Sequence, residues 1–438
     1  MTATILSSWQ ATVGRAPSAL ALIDGASGRR WSRAELSAVA EEWSQTACAG
    51  PALAGRRVLL AEPNGPGWWR AFLGLLQLGA IPVPADSTEP AAVLAEQARG
   101  LRAGALWHAG ALHPLPGSIR HRCGDLCLLK LTSGSTGTPK ALPFTHAQML
   151  ADGRQVCASM GIGPEDLNLA VIPLGHSYGL GNLVVPLLSQ GTPMVCVASP
   201  LPQALAADIA RWKPTVFPAV PTLLRAMVRS DLDPAQLSSL RLVVSAGAAL
   251  PAEVATAFSE KFGHRVHGFY GASETGGICY DRTGEDTLTG RSVGTPLEGV
   301  QLHFRHGQRF TVASAAVGRR GRHSPADRAT LDADGGLVLL GRAGRIVKIA
   351  GRRLDLAEVE NALLALPGVR AACVLAHPQR TDALIAAVAA DRPGTDLRAE
   401  LAPRLAPWKI PAHIHVQPEL PVTERGKTDR QAVAKLLG

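Results

Sequence analysis

Aromatic residues are scarce in this sequence. Phenylalanine, tryptophan and tyrosine together make up 4% of the chain, although hydrophobic residues make up 46% of it. We therefore expect a mainly aliphatic core. Charged residues are also few, at 18%, which argues against disorder as a description of the whole chain because enough apolar surface is available for burial. Internal repeats and low-complexity tracts are absent, as is usual in a globular protein.

The sequence also lacks the marks of a disulfide-rich or membrane-spanning protein. Its seven cysteines are an odd number spread over 438 residues, a pattern typical of reduced thiols rather than of a disulfide framework. Cys123 and Cys127 lie close together, but no second pair follows at the spacing of a zinc site. There is no basic N-terminal segment followed by an apolar run, and no stretch long enough to cross a bilayer. We expect a cytoplasmic enzyme without a membrane span.

The chain is basic, but it has no basic run interleaved with aromatic residues. Its formal charge of +9 can attract phosphate groups or an acidic carrier protein. Lysine and arginine are scattered, and the densest cluster, at Arg319, Arg320 and Arg322, is predicted to be an exposed loop. Nucleic acid is therefore not an expected partner.

Apolar segments alternate in a way that predicts an α/β fold with parallel strands. Ser32 and Glu35 form a capping box ahead of a predicted helix at 33–46. Short apolar strands and segments of helical spacing then follow one another, which implies right-handed crossovers. These segments are a strand at 58–60, a helix at 68–78, a strand at 79–84, a helix at 203–212, a strand at 215–217, a helix from Pro221, a strand at 242–244, a helix with Pro251 in its first turn and a strand at 266–270.

The length and a change of character past Arg342 predict two domains. A chain of 438 residues exceeds the size at which one core usually keeps growing. The last part of the chain predicts a small α+β domain with a strand at 346–349, a helix at 356–366 and a strand at 369–376. We expect residues 1–343 to form a large domain of layered, mostly parallel sheets with helices, and residues 344–438 to form the small domain.

Residues 131–140 combine hydroxyl groups, glycines and one lysine, a composition suited to wrapping a polyphosphate with N–H groups and side-chain donors. The segment is not a Walker A loop, because Pro139 precedes Lys140 and Ala141 follows it, where that pattern needs glycine and then serine or threonine. It resembles instead the phosphate loop of the adenylate-forming superfamily, which includes acyl-CoA synthetases, adenylation domains of nonribosomal peptide synthetases and luciferases.

Five further segments resemble motifs of this superfamily and follow in the same order. They are 172–180, 245–251, 267–277, Asp327 with Arg342, and 421–430. One match alone carries little weight, whereas six in order are specific. The sequence is therefore identified as a member of the superfamily, with the resemblance running from about residue 126 to residue 430.

The resemblance implies roles for individual residues. ATP is implied to bind at Thr132, Ser133, Gly134, Ser135, Thr136, Gly137, Thr138, Lys140, Gly247, Ala248, Phe269, Tyr270, Gly271, Ser273, Asp327 and Arg342. The acyl pocket is implied at His176, Ser177 and Gly268, and Mg²⁺ at Glu274 and Thr136. Catalytic roles fall to Lys427, Glu274 and His176, of which Lys427 is implied to have the largest.

The implied reaction is the ATP-dependent activation of a carboxylic acid. A carboxylate attacks the α-phosphorus of ATP, and since both partners are anions, their charge must be neutralised and their approach aligned. Lys140 can hold the leaving pyrophosphate, Glu274 can position Mg²⁺, and Lys427 can bridge the carboxylate and the α-phosphate. The adenylate then passes to a thiol, either that of coenzyme A or the phosphopantetheine of an acyl carrier protein; the sequence leaves both open, together with the oligomeric state.

Two sequence features bear on the substrate and on domain movement. Amino-acid-activating relatives place an aspartate in the acyl motif, but no acidic residue lies between Ile172 and Gly191. We therefore expect a small aliphatic or aryl acid without an α-amine. Gly344 replaces the usual polar hinge residue, and glycine can still absorb the rotation of a mobile C-terminal domain. The alternatives are a degenerate nucleotide-binding protein of this fold without turnover, and an adenylating enzyme with a non-thiol acceptor.

Overall fold

The structure is a computed structural model. It describes residues 3–47, 52–121, 124–132, 140–318, 321–342, 346–349, 352–380, 383–405, 407–423 and 426–437. The chain divides into two compact units, the first formed by residues 1–303, 311–323 and 333–337 and the second by residues 304–310, 324–332 and 338–438. The predicted boundary between residues 343 and 344 lies outside the described residues and stays a prediction.

The described part of the first unit contains many short strands. They are β1 (Leu20–Asp24), β2 (Arg30–Ser32), β3 (Arg57–Ala61), β4 (Ile81–Pro84), β5 (Ala105–His108), β6 (Ala111–Pro114), β7 (Leu126–Thr132), β8 (Lys140–Thr145), β9 (Asn168–Ala170), β10 (Met194–Cys196), β11 (Val216–Ala219), β12 (Leu242–Ser245), β13 (Val266–Ala272), β14 (Gly276–Tyr280) and β15 (Thr295–Pro296).

Helices connect these strands. They are α1 (Ile5–Arg15), α2 (Arg33–Ala47), α3 (Pro66–Gln77), α4 (Ala91–Gly100), α5 (His146–Met160), the short α6 (Ser177–Gly179), a π-helical turn (Leu180–Val184), α7 (Val185–Gln190), α8 (Pro202–Trp212), α9 (Pro221–Arg229), a 3₁₀ turn (Pro234–Leu237), α10 (Ala252–Phe262) and α11 (Glu285–Thr289). In the part of the chain that is described, no helix is both long and apolar enough to cross a membrane.

The strands form a nine-stranded sheet, a four-stranded sheet and a hairpin. The large sheet has the order β15-β14-β13-β12-β11-β9-β10-β1-β2, and its central pairs from β13 to β1 are parallel. The smaller sheet has the order β4-β3-β5-β6, with β3 parallel to both β4 and β5. Strands β7 and β8 pair antiparallel. The predicted α/β class with mostly parallel, layered sheets is confirmed.

Local sequence accounts for where several helices begin. The Ser32 N–H donates to Glu35 Oε2 at 2.7 Å and the Glu35 N–H donates to Ser32 Oγ at 3.2 Å, so the predicted capping box is present at the start of α2. Pro202 and Pro221 lie in the first turns of α8 and α9, where a missing N–H costs no hydrogen bond. Pro251 was expected in the first turn of α10. It is the N-cap instead, with extended ψ of 135°, and the helix begins at Ala252.

The second unit contains the C-terminal elements. The remaining elements, some with residues in both units, are β16 (Gln301–Arg305), a 3₁₀ turn (His306–Gln308), β17 (Arg309–Ala313), β18 (Arg322–His323), β19 (Asp327–Leu331), β20 (Leu337–Arg342), β21 (Ile346–Ile349), β22 (Arg352–Asp355), α12 (Leu356–Leu364), β23 (Val369–Ala376), β24 (Leu384–Ala390), α13 (Gly394–Leu401), a 3₁₀ turn (Pro407–Lys409), β25 (His413–Gln417) and α14 (Arg430–Leu436). The sheet β23-β24-β25 packs with α12 and α13 around a core that includes Val359, Leu363, Val374 and Leu397. This is the α+β arrangement that the sequence predicts.

The cysteines in the described residues are all buried and form no disulfide. They are Cys127, Cys157, Cys196, Cys279 and Cys373. The prediction of reduced thiols is met for these five residues.

Candidate functional site

The base of the predicted phosphate loop is a β-hairpin. Strands β7 and β8 pair antiparallel, with Thr132 directly opposite Lys140. The backbone of both ends of the predicted loop is thus held by one strand ladder. The predicted ATP-binding residues Ser133, Gly134, Ser135, Thr136, Gly137 and Thr138 lie outside the described residues, and their roles stay predictions.

Two other predicted nucleotide segments lie side by side at the carboxyl ends of parallel strands. Ser245 of β12 pairs with Gly268 of β13, so the residues that follow each strand emerge at the same edge of the sheet. This is the edge at which open α/β sheets bind ligands. The predicted residues in or after these strands are Gly247, Ala248, Phe269, Tyr270, Gly271, Ser273 and Glu274.

The predicted acyl motif reaches these strands through Tyr178. His176 is the N-cap of α6, and its Nδ1 accepts a hydrogen bond from the Tyr178 N–H at 3.4 Å. The buried Tyr178 hydroxyl donates to the Val244 carbonyl of β12 at 3.2 Å. The ring of Tyr178 lies 5.8 Å, centroid to centroid, from the ring of Phe269 on β13. The structure therefore brings the acyl motif together with both strands of the nucleotide segments.

Asn64 holds the entry to the acyl motif, a role that was not predicted from the sequence. Its Nδ2 donates to the carbonyls of Ala170 and Ile172 at 3.1 and 2.8 Å, and its Oδ1 accepts from the Leu174 N–H at 2.9 Å. All of these bonds span more than 100 residues of sequence. A lone asparagine in the loop after β3 carried no signal that could have located these partners.

Gly268, predicted to line the acyl pocket, is fixed by α11. Its N–H donates to Thr287 Oγ1 at 2.7 Å, and a Cβ at this position would lie 2.8 Å from the same oxygen. The Thr287 hydroxyl in turn donates to Asp281 Oδ2 at 2.8 Å. Asp281 is buried, and its carboxylate also accepts from the N–H groups of Gly284 and Thr287 at 2.9 and 2.8 Å. A side chain at position 268 would thus disturb this network.

A buried ion pair, which was not predicted from the sequence, joins β7 to α5. Lys130, on β7 two residues before Thr132, has its Nζ 3.9 Å from Asp152 Oδ2 on α5, and the two side chains are only 1% and 4% exposed. Asp152 Oδ1 accepts from the Gly277 N–H at 3.0 Å. Burial lowers the pKa of Lys130, whereas the negative charges of Asp152 and Glu274 act in the opposite direction.

Burial likewise raises the pKa of the Asp152 carboxyl group, while the charge of Lys130 and the hydrogen bond from Gly277 lower it. The sequence signal for this pair is a lysine that interrupts the apolar strand β7. Its partner could not be read from the sequence because it lies 22 positions away on a helix.

The donor set at Glu274 suits Mg²⁺. Glu274 is half-buried in the turn between β13 and β14. Within the described ranges no three His, Cys, Asp or Glu side chains cluster as a metal site. Mg²⁺ is usually bound by one or two carboxylates together with substrate phosphates and water rather than by a protein cage, so a single half-buried carboxylate fits it. Mg²⁺ binding at Glu274 and Thr136 stays a prediction.

The predicted ribose-binding residues belong to one β-hairpin of the second unit. Asp327 is the first residue of β19 and Arg342 is the last residue of β20, and these strands are neighbours in their sheet. A connection as short as the one between them joins antiparallel strands, because parallel strands need a long crossover. Asp327 and Arg342 therefore lie at the same end of the hairpin. The predicted hinge residue, Gly344, lies outside the described residues.

Lys427 lies in a tight turn just before α14. The Thr423 N–H donates to the Lys427 carbonyl at 2.7 Å, and the Gly426 N–H donates to the Thr423 carbonyl at 2.8 Å. Gly426 has a φ of +68°, which favours glycine. The Asp429 side chain caps α14 by accepting from two N–H groups. Lys427 is exposed and belongs to the second unit, and its predicted contact with the nucleotide stays a prediction.

Comparison with known proteins gives a consistent result. Residues 108–306 match the model of the AMP-binding enzyme family, and residues 358–427 match that of the AMP-binding enzyme C-terminal domain. A feruloyl-CoA synthase from an Amycolatopsis species is 28% identical over 99% of both chains. A benzoate–CoA ligase from Thauera aromatica is 29% identical over 70% of this chain and 66% of its own.

Solved structures share the fold. The crystal structure of ATP-bound MatB from Rhodopseudomonas palustris superimposes with a TM-score of 0.86 at 20% identity, covering 100% of this chain and 99% of that one. At this identity the likeness concerns the fold. Together with the two family matches, which fall on separate parts of the chain in the expected order, it shows that this chain belongs to the AMP-binding enzymes of the adenylate-forming superfamily.

Proposed function

We propose that this protein is an ATP-dependent acid–thiol ligase, which forms an acyl- or aryl-adenylate with release of pyrophosphate and then transfers the acyl group to a thiol. The observation that carries the proposal is the junction at Tyr178. Its hydroxyl donates to the Val244 carbonyl at 3.2 Å and its ring lies 5.8 Å from that of Phe269, so one residue joins the acyl motif to both nucleotide strands. A carboxylate and an α-phosphate bound at these motifs would meet.

In the first step, an oxygen of the substrate carboxylate attacks the α-phosphorus, and the bond from that phosphorus to pyrophosphate breaks. Lys140, at the base of the phosphate loop, holds the leaving pyrophosphate. Lys427 bridges the carboxylate and the α-phosphate. When bound at Glu274, Mg²⁺ neutralises phosphate charge. The protein's own contribution is alignment and charge neutralisation for a reaction between two anions.

In the second step, the sulfur of the acceptor attacks the carbonyl carbon of the adenylate, the thiol proton is released, and AMP leaves. The acceptor is coenzyme A or the phosphopantetheine arm of a carrier protein. Coenzyme A is the first acceptor to test, because two relatives are named for coenzyme A thioesters. His176, the N-cap of α6, is the polar residue of the acyl motif that we assign to this step.

The substrate is an aryl or aliphatic acid without an α-amine. Between Ile172 and Gly191 no carboxylate is available to pair with a substrate ammonium. The largely buried ring of Tyr178 lies against that of Phe269, and the Tyr178 N–H donates to His176, so the acyl motif carries aromatic groups instead. The names of the two relatives add support for aryl acids, and benzoate and cinnamate derivatives therefore come first in a substrate panel.

The test is carboxylate-dependent exchange of labelled pyrophosphate into ATP across a panel of aryl and aliphatic acids. We expect exchange with at least one acid, and a thioester product by mass spectrometry when coenzyme A or a carrier protein is added. Glu274→Gln should lower the exchange rate. Glu285→Gln is the matched control, because Glu285 is an exposed carboxylate paired with Arg265 at 2.6 Å.

Each alternative has its own outcome in this assay. ATP binding without exchange for any acid would refute the ligase and favour a degenerate nucleotide-binding protein. Exchange followed by an ester or amide product would show a non-thiol acceptor.

A further inference from the structure

The buried carboxylate of Asp152 lies against one motif segment and against the turn that follows another. Its Oδ1 accepts from the Gly277 N–H at 3.0 Å, three residues after Glu274. A Cβ on Gly276 would lie 2.2 Å from Oδ1, and a Cβ on Gly181 would lie 2.9 Å from Oδ2. Gly181 belongs to the π-helical turn that follows the acyl motif. Glycine at both places lets the carboxylate lie directly against the backbone of the two segments.

Lys130 connects the same carboxylate to the β7–β8 hairpin. Its Nζ lies 3.9 Å from Asp152 Oδ2 and 4.1 Å from the centroid of the Phe144 ring on β8. Lys130 and Phe144 thus come from the two strands of the hairpin whose ends are Thr132 and Lys140. The base of the loop, the Glu274 turn and the π-helical turn therefore meet around one ion pair.

This ion pair is poorly suited to stabilising the fold alone. Both groups lose their hydration, and an apolar pair of similar size would often be as stable. Among the described residues, moreover, the Lys130 Nζ makes no hydrogen bond, although an ammonium has three donors. A second carboxylate, that of Glu274, also acts electrostatically on Lys130. The arrangement places a buried lysine beside the carboxylate that accepts a hydrogen bond from the end of the Glu274 turn.

We infer that Lys130 and Asp152 are positioning residues, which fix the Glu274 turn and the π-helical turn after the acyl motif relative to the β7–β8 hairpin. This inference rests on the proposed function, because it assigns the pair to the adenylation step. Neither residue is expected to touch the reacting atoms. The pair acts through the Gly277 hydrogen bond and through the attraction between Lys130 and Asp152, which ties that hydrogen bond to β7.

The test separates positioning from stability with three variants: Lys130→Met, Asp152→Asn and the double variant. Each single variant leaves one buried group without its counter-charge and is expected to lower the melting temperature. The double variant has no unpaired charge, and the amide oxygen introduced at position 152 can still accept from the Gly277 N–H, so it should recover most of the melting temperature. We expect it to keep a pyrophosphate-exchange rate about 10–100-fold below wild type, the loss usual for residues that orient a ligand-binding group.

Two further measurements make the result specific. Calorimetric titration with Mg-ATP should show weaker binding by the double variant, a readout that does not depend on turnover. Arg241→Met is the matched control. This variant removes the positively charged partner of the buried Asp166, to which Arg241 Nε donates at 2.7 Å. Arg241 lies outside the site motifs. This control should lower the melting temperature without changing the rate per folded molecule.

A double variant with wild-type exchange and wild-type Mg-ATP affinity would overturn the inference and leave the pair a structural one. If a single variant does not fold, the exchange rate and Mg-ATP affinity of the double variant still test the inference. If the wild-type protein shows no exchange with any acid, the proposed function fails. Unaltered Mg-ATP affinity in the double variant would then overturn the positioning of Glu274 separately.

Discussion

Replacing Gly276 by alanine tests the close approach of Asp152 to the Glu274 turn. Gly276 is buried and has a φ of +71°, and an added Cβ would lie 2.2 Å from Asp152 Oδ1. The left-handed backbone costs a non-glycine residue about 1–2 kcal/mol. Overpacking costs about 1–3 kcal/mol more, since backbone and the buried carboxylate must both shift. We expect Gly276→Ala to lower the free energy of unfolding by about 2–5 kcal/mol.

Gly263 provides a matched control for the backbone contribution. It also has a φ of +71°, but it is exposed at the C-cap of α10 and an added Cβ would meet no atom within 4 Å. Gly263→Ala should therefore show only the conformational cost. Urea unfolding of both variants measures their losses of unfolding free energy. We expect the loss for Gly276→Ala to exceed that for Gly263→Ala by about 1–3 kcal/mol. Equal losses for the two variants would refute the close packing of Asp152 against the turn.

Three further expectations follow from particular residues. Asn64→Ala removes two hydrogen bonds to the acyl motif and a third to Ala170 just before it. KM for the acid should therefore rise about tenfold, as a loss of about 1.4 kcal/mol implies, while calorimetric Mg-ATP affinity stays unchanged. An equal loss for both substrates would contradict a role confined to the acyl motif. Lys427→Ala should slow adenylation about 10²–10³-fold while thioester formation from preformed adenylate stays largely intact. Single-turnover assays of each step measure the two rates. Equal slowing of both steps would exclude a role restricted to adenylation. Burial alone would raise the pKa of Asp166, but hydrogen bonds from Arg241, the Gly163 N–H and Thr215 hold that pKa below its usual value. The ionised carboxylate therefore stabilises the fold above the unfolded pKa of about 3.9. This stabilisation is lost as the pH falls through the lower, folded pKa. Asp166→Asn should therefore flatten the fall of the melting temperature below about pH 4, and an unchanged slope would contradict this assignment.

Local signals in the sequence predicted much of the fold. The capping box of Ser32 and Glu35 gave the start of α2, because both partners lie within one helical turn. Alternation of apolar strands and helices gave the parallel sheet, since few other topologies satisfy short right-handed connections. The predicted position of Pro251, in the first turn of α10, is wrong by one residue, because Pro251 is the N-cap. Its φ of −62° suits both an N-cap and a first helical turn, and only ψ distinguishes them.

The candidate site was predictable only where one segment carries the motif. The segments around His176, Gly247 and Glu274 could be found in this way, and the structure brings them to one edge of the sheet. Asn64 and the pair Lys130–Asp152 could not, because their partners are distant in sequence and are fixed by tertiary packing. Composition and spacing do not encode which residue of α5 faces β7.

The burial of the cysteines has a consequence for an enzyme that makes thioesters. An acyl-adenylate is a mixed anhydride and acylates any thiolate that can reach it. Burial raises the pKa of Cys157 to about 12, and also raises the pKa of Cys127, Cys196 and Cys279. These sulfurs remain protonated and shielded at neutral pH. These four thiols are thus withheld from the activated intermediate, which keeps their acylation from competing with delivery to the acceptor.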